Sequence, residues 1–137
     1  MQQQSNKYTI PEMQAQIAQL TDTINSPGVP ADETEWLDAV STVVDPGDVR
    51  WIVLSHDDHD HTGNLEQVMT ACPNATLVAN WAMVERNSNA FEFPLHRTRW
   101  VGDGESFDAG DRRLRAVRPP VWDSPTTRGL FDESTGV

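Results

Sequence analysis

Basic residues are scarce in this chain: 10 Lys and Arg stand against 21 Asp and Glu, for a net charge of −11. That balance offers no positive field to nucleic acid or to an anionic membrane surface, and excludes both as partners on charge. Long apolar runs are missing too. The longest clean one is the WIVL of 51–54, far short of the roughly 20 residues a membrane-spanning helix needs. The polar start, MQQQSNKYTI, lacks the apolar core of a signal peptide. Cys72 is the single cysteine, which leaves no internal disulfide and no argument for an oxidising compartment. These absences predict a soluble, cytoplasmic chain in which Cys72 is a small buried hydrophobe.

What is present fits one domain. The 137 residues suffice for a single modest core, and an apolar share of 37% makes the chain foldable without being rich in core residues. Residues 9–25, TIPEMQAQIAQLTDTIN, predict a helix. Thr9 and Glu12 have capping-box spacing, and Met13, Ile17, Leu20 and Ile24 form an apolar stripe. The SPGVPA of 26–31 breaks it, so residues 1–31 read as a helical extension with linker and 32–137 as the domain. There, DETEWLDAVSTVV predicts a helix with Trp36, Leu37, Val40 and Val44 on one side. RWIVLS and TLVAN predict covered parallel strands, and GNLEQVMTAC and WAMVERN predict helices. Beyond residue 90 the texture is β: HRTRWV, a hairpin in ESFDAGDRRLRAV, the irregular RPPVWDSPTT, and a strand beginning at TRGLF.

The chemistry concentrates in one place. Residues 56–61, His-Asp-Asp-His-Asp-His, put three carboxylates and three imidazoles between an apolar strand and Thr62-Gly63. Open α/β sheets place ligands at that carboxyl edge, and imidazole with carboxylate suits Zn, Fe or Mn. Gly63 would let the following helix start abruptly. As a plain polar turn, the helix dipole accounts for one acid, with Asp60 as the cap, but not for three acids beside three histidines. A calcium loop counted from Asp58 fails, because its twelfth position is Met69 where a bidentate Glu is required. Two divalent cations would bring the net charge of −11 to −7.

His56-x-Asp58-x-Asp60-His61, with its strand before and Thr-Gly after, resembles the H-x-[HED]-x-D-H signature of the metallo-β-lactamase superfamily. An acid at the third position resembles the di-iron, flavodiiron-like branch. The resemblance runs from about residue 32 to the C-terminus and takes in the ESFDAGDRRLRAV hairpin and the RPPVWDSP loop. It implies an α/β fold: a partial αββα sandwich, with a mixed sheet and helices on one face. It also implies two divalent metal ions, Fe or Zn with Mn as a third choice. His56 and Asp58 would hold the first ion, and Asp60 and His61 the second. Asp123 stands where the family's next ligand is usually a histidine, and would ligate or else only cap its turn with Ser124. His59 falls on a variable position and would face away, and His96 reads as a surface histidine.

The helical N-terminus departs from the family's opening hairpin, and the family's bridging Asp and final His lie beyond residue 137. The resemblance therefore covers roughly the first half of such a domain. A lone half would leave a sheet face and an edge uncovered, which predicts self-association.

Three functions follow. As a hydrolase, the domain would use a metal-activated water, its pKa lowered from 15.7 towards about 7, oriented by Asp60 onto a small-molecule substrate. As a flavodiiron-type centre it would reduce or sense dioxygen, with electrons from another protein, since no flavodoxin-like phosphate loop is present. As an inactive relative it would be a binding module. Trp81, Trp100 and Trp122 read as core or as pocket lining.

Overall fold

The computed structural model describes residues 23–25, 33–121 and 124–137. In chain order the elements are β1 (Thr23–Asn25), α1 (Glu33–Ser41), β2 (Trp51–Val53), α2 (His59–Thr62), α3 (Leu65–Ala71), β3 (Thr76–Ala79) and α4 (Trp81–Asn87). They continue as β4 (Thr98–Trp100), β5 (Ser106–Asp108), β6 (Arg113–Val117) and β7 (Gly129–Asp132), with short 3-10 turns at Pro46–Asp48 and Leu95–Arg97. Strands β1 to β4 form a parallel sheet in that order, and β5 to β7 form an antiparallel one.

Alternation along β2 and β3 sets the layers. Ile52, Leu54, Leu77 and Ala79 face one way and pack with Val40 of α1, Leu65, Val68 and Met69 of α3, and Met83 of α4. Val53 and Val78 face the other way, against Phe107, Leu114 and Ala116 of the antiparallel sheet. The period of two along a strand produces this split. Trp51 joins the inter-sheet core, its ring 5.1 Å from that of Phe107 at 52°. The result is three layers: helices, parallel sheet, antiparallel sheet.

The expected α/β class with helices on one face of the parallel sheet holds. Its mixed β structure is divided between two packed sheets, because the parallel and antiparallel strands share no ladder among the described residues. The parallel sheet is not left bare, since the second sheet covers its other face. What meets solvent beyond it is mostly charged: Arg113 and Arg115 point outward and both pair with Glu133, with Phe131 exposed across from Arg115. An expectation of self-association then rests on strand edges rather than on an apolar face.

The helix expected over 9–25 is corrected at its end. Thr23–Asn25 is a strand, pairing Thr23 with Trp51 and Asn25 with Val53. A free edge on β2 and the β-branched Thr-Ile pair outweigh the helical stripe. Residues 9–22 lie outside the described residues. The family of Trp36, Leu37, Val40 and Val44 does pack against the helix-side core, and Cys72 is buried there at 1% exposure. Burial pushes its thiol pKa up, against the opposing charge of Arg97. No described helix is long and apolar enough to cross a membrane.

Arg97 fastens the helix layer at the amino edge of the parallel sheet. Its guanidinium donates to the carbonyls of Met69 (3.2 Å), Cys72 (2.6 Å) and Ala75 (3.0 and 2.8 Å). These groups lie at and just past the end of α3, where helical carbonyls lack intrahelical partners and a cation is favoured.

Candidate metal centre

The acidic stretch leaves the carboxyl edge of β2. Leu54 continues the ladder to Val78 O (3.1 Å), and Ser55 O accepts from the Arg128 backbone N–H at 2.7 Å. His56 and Asp57 are buried and Asp58 is extended (φ −71°, ψ 148°), so α2 starts inside the motif, with Asp58 as its N-cap. That corrects two expectations. The N-cap is Asp58 and not Asp60, and the Asp58 side chain makes no capping bond. Gly63 does not open the helix; it is the C-cap of α2 with ordinary helical angles (φ −60°, ψ −31°). The turn after β2 is thus made by bends at Ser55 and Asp57 before the extended Asp58, with no glycine in it.

This geometry brings the residues before α2 together with its helical turn. One potential ligand atom from each of His56, Asp60 and His61 lies within 4.8 Å of the others. Asp58 Oδ2 is 3.5 Å from His56 Nε2, and Asp60 Oδ2 is 3.5 Å from His61 Nε2. On the opposite side of the rings, Ser55 Oγ lies 3.1 Å from His56 Nδ1 and 3.3 Å from His61 Nδ1. The two rings sit 4.0 Å apart, centre to centre. Were Ser55 Oγ to accept from both Nδ1–H groups, each Nε2 would present a lone pair towards its carboxylate. This is the tautomer a metal-binding histidine needs. Two donors each about 2.1 Å from a shared cation stand roughly 3.0–3.4 Å apart at angles of 90–109°. The 3.5 Å spacings of the two His–carboxylate pairs are close to that range, and the donor set is hard and nitrogenous, suited to Fe, Mn or Zn.

Exposure rises outward through the cluster. The His56 side chain is 11% exposed and that of Asp60 63%, so the histidine is anchored and the carboxylate faces solvent. His59 is exposed outside the cluster and lines a small cleft with Gln67, Asn87, Phe91 and Phe93. His96 is exposed in the Leu95–Arg97 turn. Trp81 (66%) and Trp100 (42%) are exposed rather than core. Asp123 and Trp122 lie outside the described residues, but Ser124 beside them is buried.

Asp57 is the residue that sequence reasoning passed over. Its Oδ1 accepts from Ser124 Oγ (2.9 Å) and Thr126 Oγ1 (2.5 Å), and its Oδ2 lies 2.5 Å from Arg86 Nε on α4. Its carbonyl accepts from Asn87 Nδ2 at 3.2 Å. Burial alone would raise its pKa; the hydroxyls of Thr126 and Ser124 and the charge of Arg86 outweigh burial and hold the carboxyl below its ordinary value. One signal was available. If His56 and Asp58 face a cation, the residue between them turns the other way, and a carboxylate buried there needs donors.

A three-layer α/β domain with a histidine and carboxylate cluster at the carboxyl edge of its parallel sheet defines a class of metal-site protein. The chain belongs to the metallo-beta-lactamase superfamily, whose sequence model matches residues 27–133. It is 26% identical over 103 residues to diflavin flavoprotein A 1 of Synechocystis, covering 74% of this chain and 18% of that protein. Among solved structures, the flavodiiron protein of Giardia intestinalis superposes with a TM-score of 0.73 at 19% identity, covering 82% of this chain and 27% of that one. Rubredoxin oxygen:oxidoreductase of Desulfovibrio gigas does so with 0.72 at 18%, covering 84% and 29%. The chain therefore spans less than a third of the length of these relatives.

Proposed function

We propose that this domain holds a pair of iron ions and serves in dioxygen reduction, as the flavodiiron alternative of the sequence reading has it. The hydrolase reading gives way because flavoprotein names predominate among the sequence relatives, while the solved structures that superpose include metallo-beta-lactamases beside the flavodiiron proteins and speak for the shared fold alone. The observation that carries the proposal is the pair of His–carboxylate couples, His56 with Asp58 and His61 with Asp60, each at 3.5 Å. An oxygen donor at Asp58 hardens the first couple relative to a second imidazole, favouring iron or manganese over zinc.

In this reading His56 and Asp58 hold one ion, Asp60 and His61 the other, and Asp123 is a further carboxylate ligand. Iron bound there would pass electrons to dioxygen, whose reduction to two waters takes four electrons and four protons. The residues do the rest. Ser55 Oγ keeps both Nε2 atoms aimed at the carboxylates, and the carboxylates offset the cationic charge. Asp60, the most exposed member, is placed to exchange protons with solvent. Electrons come from a donor outside these 137 residues.

The test loads the full chain anaerobically with Fe(II), adds a chemical reductant in excess and follows dioxygen with an electrode. Sustained consumption, lost in His56→Ala and in Asp60→Ala, supports the proposal. Hydrolysis of β-lactam, lactone or thioester by the zinc-loaded chain, with no dioxygen uptake by the iron-loaded one, restores the hydrolase.

A further inference from the structure

The Asp57 carboxylate sits in the middle of the metal loop, yet it is turned from the ligand side and fully engaged. Its partners come from two remote parts of the chain, Arg86 on α4 and the hydroxyls of Ser124 and Thr126 in the loop before β7. That second loop is tied at further points. The Arg128 N–H donates to Ser55 O at 2.7 Å, and Asn80 Nδ2 to Thr126 O at 2.7 Å. Asn80 in turn caps α4, its Oδ1 accepting from the Met83 N–H at 3.1 Å. Ser124 and Thr126 are 8% and 1% exposed, and Asp57 is 8% exposed. Every bond that crosses between residues 55–57 and 124–128 therefore either reaches Asp57 or lies two residues from it.

Core packing does not explain such a knot, because replacing it with apolar groups would fill the same space without a buried charge. Three donors meeting one carboxylate from separate segments fix their mutual position in a way apolar contacts do not. The residues fixed are those on either side of Asp57, namely His56 and Asp58.

We infer that Asp57 is a positioning residue for the metal centre: clamped to the 124–128 loop and to Arg86, it holds the His56–His61 loop so that His56 and Asp58 keep their place in the cluster. The inference rests on the di-metal reading of the site. Asp57 touches no ion itself; it acts through the backbone of His56 and Asp58 and through Ser124 and Thr126. Removing a group that orients a metal ligand typically weakens metal affinity 10- to 100-fold.

The experiment titrates the metal-free full chain with Co(II), reading both affinity and the visible ligand-field spectrum. The variants are Asp57→Asn, Ser124→Ala and Thr126→Val, with Arg97→Met as the control: it unfastens α3 at the opposite edge of the sheet and lowers stability without touching the clamp. Asp57→Asn is the severe variant. Ser124→Ala and Thr126→Val each remove one hydroxyl and leave the ion pair with Arg86, so they keep the test alive if Asp57→Asn does not fold.

The expected result is a loss of Co(II) affinity of about 10- to 100-fold with an altered spectrum in the clamp variants, and an unchanged affinity and spectrum in folded Arg97→Met. Wild-type affinity and spectrum in folded Ser124→Ala and Thr126→Val overturn the positioning role while leaving the metal site standing. A parallel loss in Arg97→Met reduces the effect to general stability and overturns it too. A wild-type chain that takes up no Co(II) overturns the site itself, and the inference with it.

Discussion

Arg97→Met should be among the most damaging single substitutions away from the metal loop. Methionine keeps an unbranched apolar stem but removes every donor, so the carbonyls of Met69, Cys72 and Ala75 lose a shared charged partner. A hydrogen bond to a charged group contributes about 1.5–3 kcal/mol net. The three carbonyls share one guanidinium and the group is only part-buried, so water recovers some of the loss, and the sum is taken as about 3 kcal/mol rather than three full bonds. At about 2.1 cal/mol/K of unfolding entropy per residue, 137 residues give roughly 0.3 kcal/mol/K, so Tm should fall by about 10 °C. Arg97→Lys should recover less than half, since one ammonium cannot span three carbonyls. The assay is thermal unfolding followed by circular dichroism at fixed protein concentration in metal-free buffer. A Tm within about 2 °C of wild type would refute the reasoning, and so would full recovery by lysine.

Two further outcomes follow from the same structure. Phe107 is 2% exposed and packs on Trp51 between the sheets; Phe107→Ala should cost about 3–5 kcal/mol and shift tryptophan emission, whereas unchanged stability in denaturant would place the inter-sheet core elsewhere. Asp57, Asp132 and Glu133 all have carboxyl groups held below their ordinary values, so the unfolded chain binds more protons than the folded one on the acid side. Their stabilisation is complete above the ordinary values of 3.8 and 4.5 and is lost as pH falls through the lower folded ones. Thermal unfolding should therefore be nearly flat from pH 7 to about 5 and drop steeply below about 4. Glu133→Gln should blunt that drop, because the acceptor of the bonds from Ser106 and Arg115 then no longer titrates. A flat profile to pH 3 would contradict the assignment.

What was legible in the sequence was whatever a local pattern decides. WAMVERN is α4 to the residue because Asn80 supplies a cap and the helix is short. The ESFDAGDRRLRAV hairpin formed because Phe107 faces Leu114 across a turn containing Gly110, which takes φ 104°. The closeness of His56, Asp60 and His61 was legible because their spacing is a property of six consecutive residues. Three things were not legible, and each depends on a distant partner. Thr23–Asn25 is a strand only because β2 offers an edge 28 residues later, Thr23 pairing with Trp51. Whether parallel and antiparallel strands share a ladder is decided by sheet packing. The partners of Asp57 come from residues 86, 124 and 126, which no spacing rule joins to residue 57. The Asp60 cap and the opening role of Gly63 failed for a related reason: the chain bends at Ser55 and Asp57, and helix α2 then begins at His59 with Asp58 as its N-cap.

The central claim is that residues 56–61 bind metal through His56, Asp58, Asp60 and His61. Its most direct test is elemental analysis of the purified full chain after anaerobic loading with Fe(II) and desalting, beside His61→Ala and Asp58→Ala. The account predicts about two irons per wild-type chain and a loss of at least one in each variant. One iron or fewer per chain, unchanged by either substitution, would contradict it.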